Sequence, residues 1–204
     1  MRLGLLGPSQ GDAVTLGHAA EFVLNVARVD RAVYLGDDGA LEATITSWAR
    51  RLVGDDPTDD GMFRRGATLA LRGTPADLDD FVVAERARLR LRALESLPHA
   101  EARTIEMIGD RVAVLIHDKA HLDEEDIVSA NILVYGKSGE PLVKKIGARW
   151  FISPGSVGCP GGGVAVIEDR DEGIIAEIYD SRGECTKTES LDMARKTTTR
   201  VQGG

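Results

Sequence analysis

Cysteine is scarce: Cys159 and Cys185 are the two thiols in 204 residues. Two cannot build a disulfide framework, and neither stands in a CxxC or Cys-His metal spacing. This usage points to a reducing compartment. Basic excess is also missing, since 25 Lys and Arg face 33 Asp and Glu, a net charge of −8. That balance argues against a broad electrostatic footprint on nucleic acid or anionic lipid. No apolar run approaches the span of a bilayer, and no charged leader with an apolar core precedes the first strand-like run. The expectation is a cytoplasmic protein without membrane attachment. Nucleotide fingerprints are absent as well: the Gly-rich stretch 4–11 has neither dinucleotide spacing nor a P-loop lysine. The acidic run 54–61, GDDPTDDG, lacks the donor order and distal Glu of a calcium loop and reads as an exposed loop.

What is present suits one domain with a sizeable core, because 43% of the chain is hydrophobic. Short apolar or alternating runs predict strands over 2–6, 32–35, 68–71, 103–108, 112–116, 132–135, 150–153, 163–168 and 173–179. Helical periodicity fits 13–28, 41–53, 75–97 and 123–130. Strands and helices alternate early and strands dominate late, which predicts an α/β domain over 1–183. The polar remainder, 184–204, reads as a mobile C-terminal tail. Within the long helix from Pro75, Leu89 and Leu91 are candidates for a partner-facing strip. The basic run 86–92 reads as a solvated helix face. His18 and His99 have no supporting donors nearby.

The stretch 131–160 carries the most information. A strand-like run ending at Tyr135 meets Gly136-Lys137-Ser138-Gly139, Pro141 follows, and a second run enters Ser153-Pro154-Gly155-Ser156. This resembles the last motifs of the calcineurin-like metallophosphoesterase superfamily, of the small bacterial phosphodiesterase type. There the pattern is Gly-His-Thr-His, a Pro, and then Asn-Pro-Gly-Ser. The resemblance places Lys137 and Gly139 where two histidine ligands belong. Earlier motifs follow in the same order. Asp-x-His-Gly aligns with Pro8-Ser9-Gln10-Gly11, so Pro8 and Gln10 replace two ligands. Gly-Asp survives as Gly36-Asp37, Asp37 matching the carboxylate that bridges both metals. Gly-Asn aligns with Gly73-Thr74, a weak hydroxyl replacing the Asn. His-Gly aligns with His117-Asp118, keeping the histidine.

The resemblance implies a four-layer sandwich, two packed mixed sheets flanked by helices, with the site at the strands' carboxyl ends. It also implies two-metal phosphoester hydrolysis, which uses cations about 3.5 to 4 Å apart to activate water and neutralise phosphoryl charge. Of the implied ligands only Asp37 and His117 remain, so no cofactor is expected. The cleft of Pro8, Gln10, Asp37, Thr74, His117, Lys137 and Gly139 is read as vestigial. The implied role is a catalytically silent interaction or regulatory module with an unknown protein partner. The retromer scaffold subunit is the precedent the resemblance supplies. One alternative is a metal-dependent phosphodiesterase or phosphatase, with manganese or another divalent metal held weakly by Asp37 and His117. Substitute donors for it could come from Asp12, Asp38, Asp77, Asp118 or His121. A second alternative is a nucleotide or phosphate sensor with Lys137 as its anion contact. In the silent reading the Lys137 ammonium is expected either to replace the lost cations beside Asp37 or to extend into solvent.

Overall fold

A computed structural model describes residues 1–99 and 101–191. The chain opens with β1 (Arg2–Leu6), α1 (Ala13–Glu21), β2 (Arg31–Tyr34), α2 (Ala40–Val53), α3 (Asp59–Arg72), α4 (Pro75–Arg90) and β3 (Leu94–Ser96). It continues with β4 (Arg103–Ile108), β5 (Arg111–Ile116), α5 (Glu124–Ser129), β6 (Ile132–Tyr135), β7 (Leu142–Ile146), β8 (Arg149–Ser153), β9 (Val164–Arg170), β10 (Gly173–Tyr179) and β11 (Cys185–Ser190). One sheet has the order β11-β10-β9-β1-β2-β3 and the other β4-β5-β6-β8-β7. Both are mixed: β1, β2 and β3 run parallel in the first, and β5, β6 and β8 in the second.

Strand alternation builds the layers, because successive side chains point to opposite faces. In β1, Leu3 and Leu5 enter the cluster between the sheets, where Val33, Leu115, Val134 and Ile152 meet them. Leu6, one residue on, faces the other way and packs with Leu16 of α1, Leu41 of α2 and Tyr34. On the far side Val114 and Leu133 pack with Ala130, just past α5. Helices, sheet, sheet and helix make four layers, so the expected α/β sandwich is the observed one. Each fully buried leucine of this core contributes about 1.5 to 3 kcal/mol. No helix among the described residues is long and apolar enough to cross a membrane.

Several local expectations change. The run 68–71 is the last turn of α3, not a strand, and α3 begins inside the segment read as an acidic loop. Thr58 caps it by accepting a hydrogen bond from the Gly61 N–H at 3.0 Å, and Asp59 and Asp60 occupy the first turn, where the helix dipole favours them. Helix α4 stops at Arg90, a 3-10 turn follows, and the chain enters β3 instead of continuing to 97. After α1 the chain turns through a π-helical segment, Phe22–Val26. The segment read as a tail supplies β11, which pairs antiparallel with β10, and Leu191 is buried behind it. The rest of that expected tail, 192–204, lies outside the described residues. The basic run is also not a plain solvated face: Arg88 is buried against Glu85 and Asp59, Arg90 donates to the Val29 carbonyl, and Arg92 binds Asp59.

Candidate functional site

The carboxyl ends of β1, β2, β5, β6 and β8 meet at one rim, and glycines set how closely. Gly136, just after β6, packs against the Leu35 backbone, so a Cβ there would occupy the space of the Leu35 carbonyl oxygen. Gly7, just after β1, meets the Gly155 carbonyl in the same way. The Leu35 carbonyl also accepts a hydrogen bond from His117 Nδ1 at 2.7 Å, joining the two sheets at the rim. A carbonyl can only accept, so Nδ1 carries the proton and Nε2 is the nitrogen left for other partners. Nε2 lies 3.6 Å from Asp37 Oδ2. The imidazole is largely buried, whereas the carboxylate is half exposed.

Around this pair the loops are bonded to one another. Gln10 Nε2 donates to Ser156 Oγ at 2.8 Å, from a backbone with φ of 53°. Ser156 Oγ in turn reaches the Ser138 carbonyl at 3.4 Å, and the Val157 N–H donates to the Pro8 carbonyl at 3.0 Å. A second network was not anticipated from sequence. The Tyr34 hydroxyl accepts from the buried Ser9 N–H and donates to Asp38 Oδ1, both at 2.9 Å. Ser9 Oγ donates to Asp38 Oδ2, also at 2.9 Å. Burial pushes the Tyr34 hydroxyl up to about 12. Burial works to raise the Asp38 carboxyl too, but hydrogen bonds from the Ala40 N–H, Tyr34 and Ser9 overcome it and hold it below the usual range.

Lys137 does not sit on Asp37. Its Nζ lies 2.6 Å from Asp118 Oδ2, and the side chain is mostly exposed. The hydrogen bond from Lys137 and one from the Ala120 N–H hold the Asp118 carboxyl low. The same contact raises the lysine, with a smaller contribution from the charge of Asp37. Gly139 is exposed in the loop beyond Lys137, with open space where a Cβ would be.

Thr74 is not part of this rim. It caps α4 in a reciprocal capping box with Asp77, exposed at the junction of two helices. The next strand after β2 that lies parallel to it is β3, so the third strand-end position falls at Ser96-Leu97 instead. The capped, acidic start at Thr58-Asp59-Asp60 and the i, i+4, i+7 spacing of Met62, Gly66 and Leu69 were the available signals for the intervening helix.

Four of the five substitute donors are engaged by other groups. Asp12 caps α1 through Thr15, and Asp77 caps α4. Asp38 is held by Tyr34 and Ser9, and Asp118 by Lys137. His121 is exposed on the 3-10 turn after Asp118. Among the described residues no three His, Cys, Asp or Glu side chains group as a metal site. Transition cations of the manganese or iron type take five or six donors, and the Asp37–His117 pair offers two. The residues present therefore do not fit a two-metal centre.

No protein-family model and no curated sequence matches the chain. Solved structures do match it. A single mutant of Vps29 from Entamoeba histolytica is 14% identical, with a TM-score of 0.50 over 94% of this chain and 100% of that one. Wild-type Vps29 from the same organism, complexed with Zn2+, gives the same identity, TM-score and coverage. A conserved predicted phosphoesterase from Streptococcus pneumoniae TIGR4 is 15% identical, covers 93% of this chain and 98% of its own, and has a TM-score of 0.49. With two mixed sheets packed between helices and these neighbours alike over nearly their whole length, the chain has the calcineurin-like metallophosphoesterase fold.

Proposed function

We propose that the chain is a catalytically silent metallophosphoesterase-like protein acting as an interaction or regulatory module with a protein partner. The observation that carries this reading is the state of the donors at the rim. Asp37 and His117 face each other, while the carboxylates beside them, Asp38 and Asp118, are bound to Tyr34, Ser9 and Lys137. A metal centre needs its ligands free and oriented by their neighbours. Here the neighbours hold them away. Apolar side chains left open at the surface, among them Phe63 and Leu71 of α3 and Ile105 and Met107 of β4, support the interaction part.

A remodelled metal-dependent phosphodiesterase is the second reading, favoured by the 3.6 Å approach of His117 Nε2 to Asp37. The phosphate-sensor reading is weaker, because the Lys137 ammonium is already engaged by Asp118. Metal analysis of the purified chain, followed by a chromogenic phosphodiester assay with added Mn2+ or Zn2+, separates the first two. The expected result is substoichiometric metal and background turnover. Metal-dependent turnover abolished by Asp37→Ala would replace the silent reading with the enzymatic one.

A further inference from the structure

Helices α3 and α4 form an antiparallel hairpin inserted between β2 and β3, and one side of it is already occupied. Arg65 and Arg88 bind Glu85, and Arg88 also binds Asp59, joining the helices along their facing sides. Thr68 and Leu69 of α3, with Asp80, Phe81 and Ala84 of α4, line a groove shared with Leu52 and Val53 of α2. That lining fixes which side faces α2. The flank of α4 beyond that groove carries exposed apolar side chains. At 100° per residue, Leu78, Val82 and Leu89 fall within about 40° of one another on α4, and all three are exposed. Phe63 of α3 is 68% exposed.

The charges on this face have a specific arrangement. Asp79 and Arg86 have no ion pair among the described residues, whereas Arg88 and Arg92 of the same basic run are both paired. The two uncommitted residues lie on one strip of α4, equally far on either side of the Val82–Val83 peptide. A two-fold axis level with that peptide and midway between the helices runs α4 antiparallel to the α4 of a second copy. It sets Asp79 against Arg86 of the second copy, and Arg86 against Asp79 of the second copy. Val82 then meets its own counterpart, and Leu78 comes within about one turn of Leu89 of the second copy. This is the self-complementarity an isologous contact requires. We infer that this face of the α3–α4 hairpin binds a second copy of the chain and forms a two-fold four-helix contact.

The size of the face sets the strength. Helices of 14 and 16 residues are about 21 and 24 Å long and pack about 10 Å apart, so the face covers on the order of 400 to 500 Å² per copy. The total approaches about 1,000 Å², the lower bound for a specific interface. Association across a face of this size is expected to be reversible. The contact is independent of whether the strand-end rim is silent.

Sedimentation equilibrium of the full chain over a wide concentration range tests this. Mass is expected to rise from the monomer's 21.9 kDa toward twice that value as concentration increases. Asp79→Lys and Arg86→Glu should each weaken association by about tenfold or more through like-charge contact. Together they should restore it, and Val82→Asp should abolish it. Circular dichroism should show unchanged helix content in each variant, since neither charge has an ion-pair partner among the described residues. A chain that stays at 21.9 kDa throughout overturns the inference and leaves the face to a different protein. So does a dimer that ignores both single charge reversals.

Discussion

Lys137 is bonded to Asp118, 2.6 Å from nitrogen to oxygen, and this pair lies beside the Asp37–His117 pair instead of joining it. The lysine thus neither replaces a cation on Asp37 nor extends free into solvent. Lys137→Ala is expected to change the melting temperature little at neutral pH, because the side chain is mostly exposed. The sign with pH is defined. Asp118 is held below its ordinary value, so the pair contributes above that ordinary value and the contribution is lost as pH falls through the lowered one. Wild type and variant should therefore converge in acid. Adding Asp37→Asn should give no rescue, and a large destabilisation relieved by Asp37→Asn would restore the discarded Lys137–Asp37 pairing.

Tyr34→Phe should cost about 1 to 3 kcal/mol, since it leaves the buried Ser9 N–H without its acceptor and removes one of the two donors on Asp38 Oδ1. The hydroxyl, raised by burial to about 12, adds a pH signature. The unfolded chain ionises first, so this contribution is intact below about pH 10 and is lost as pH rises toward about 12. The variant should show a shallower alkaline decline in urea-denaturation stability. It will keep part of that decline, because burial and a hydrogen bond to Glu177 push Tyr179 up to about 12 as well. An identical slope in both proteins would mean that Tyr34 ionises freely.

Two glycines three residues apart should respond differently to the same methyl group. Gly136→Ala places a Cβ into the Leu35 carbonyl and should cost about 3 kcal/mol or more. Gly139→Ala meets nothing and should stay within about 0.5 kcal/mol of wild type. Chemical denaturation of both variants is sufficient. Similar values for the two would show that the strands do not approach as described.

Leu191→Ala should destabilise the fold by about 2 to 4 kcal/mol, because the side chain is buried in the cluster between the sheets. A residue of a mobile tail would be silent in the same melting experiment.

The parts of the fold that depend on local repetition were readable in the chain. Leu3, Leu5 and Leu6 already encode a strand with two buried faces, and the order Gly36-Asp37, His117, Gly136 places strand ends in sequence. The failures arose where a short signal has two solutions. Thr68-Leu69-Ala70-Leu71 is apolar enough for a strand, yet Thr58 and the acidic pair after it begin a helix that runs through it. Strand β11 reads CTKTES and has mostly exposed side chains, so its pairing with β10 leaves no hydrophobic alternation to detect. At the rim, the motif order indicated which residues come near one another but not which oxygen Lys137 would choose. Asp37 and Asp118 are both within its reach in sequence terms, and only side-chain geometry separates them. Tyr34 joins Ser9 to Asp38 from the strand residue before the motif, where its pattern is simply that of a core aromatic.

The connection between β2 and β3 has a consequence for how the molecule assembles and opens. These neighbours are parallel, so the whole α2–α4 crossover must close before β3 can bond to β2, and closure entropy delays that step. Strand β3 is three residues long with one neighbour, and α3 packs mainly against α4. The crossover and β3 are thus late to dock and first to fluctuate open, while β1, bonded on both edges, is retained longest. In native-state hydrogen exchange this places the β3 and α3 amides in one weakly protected unit, and those of β1 and β9 among the slowest to exchange.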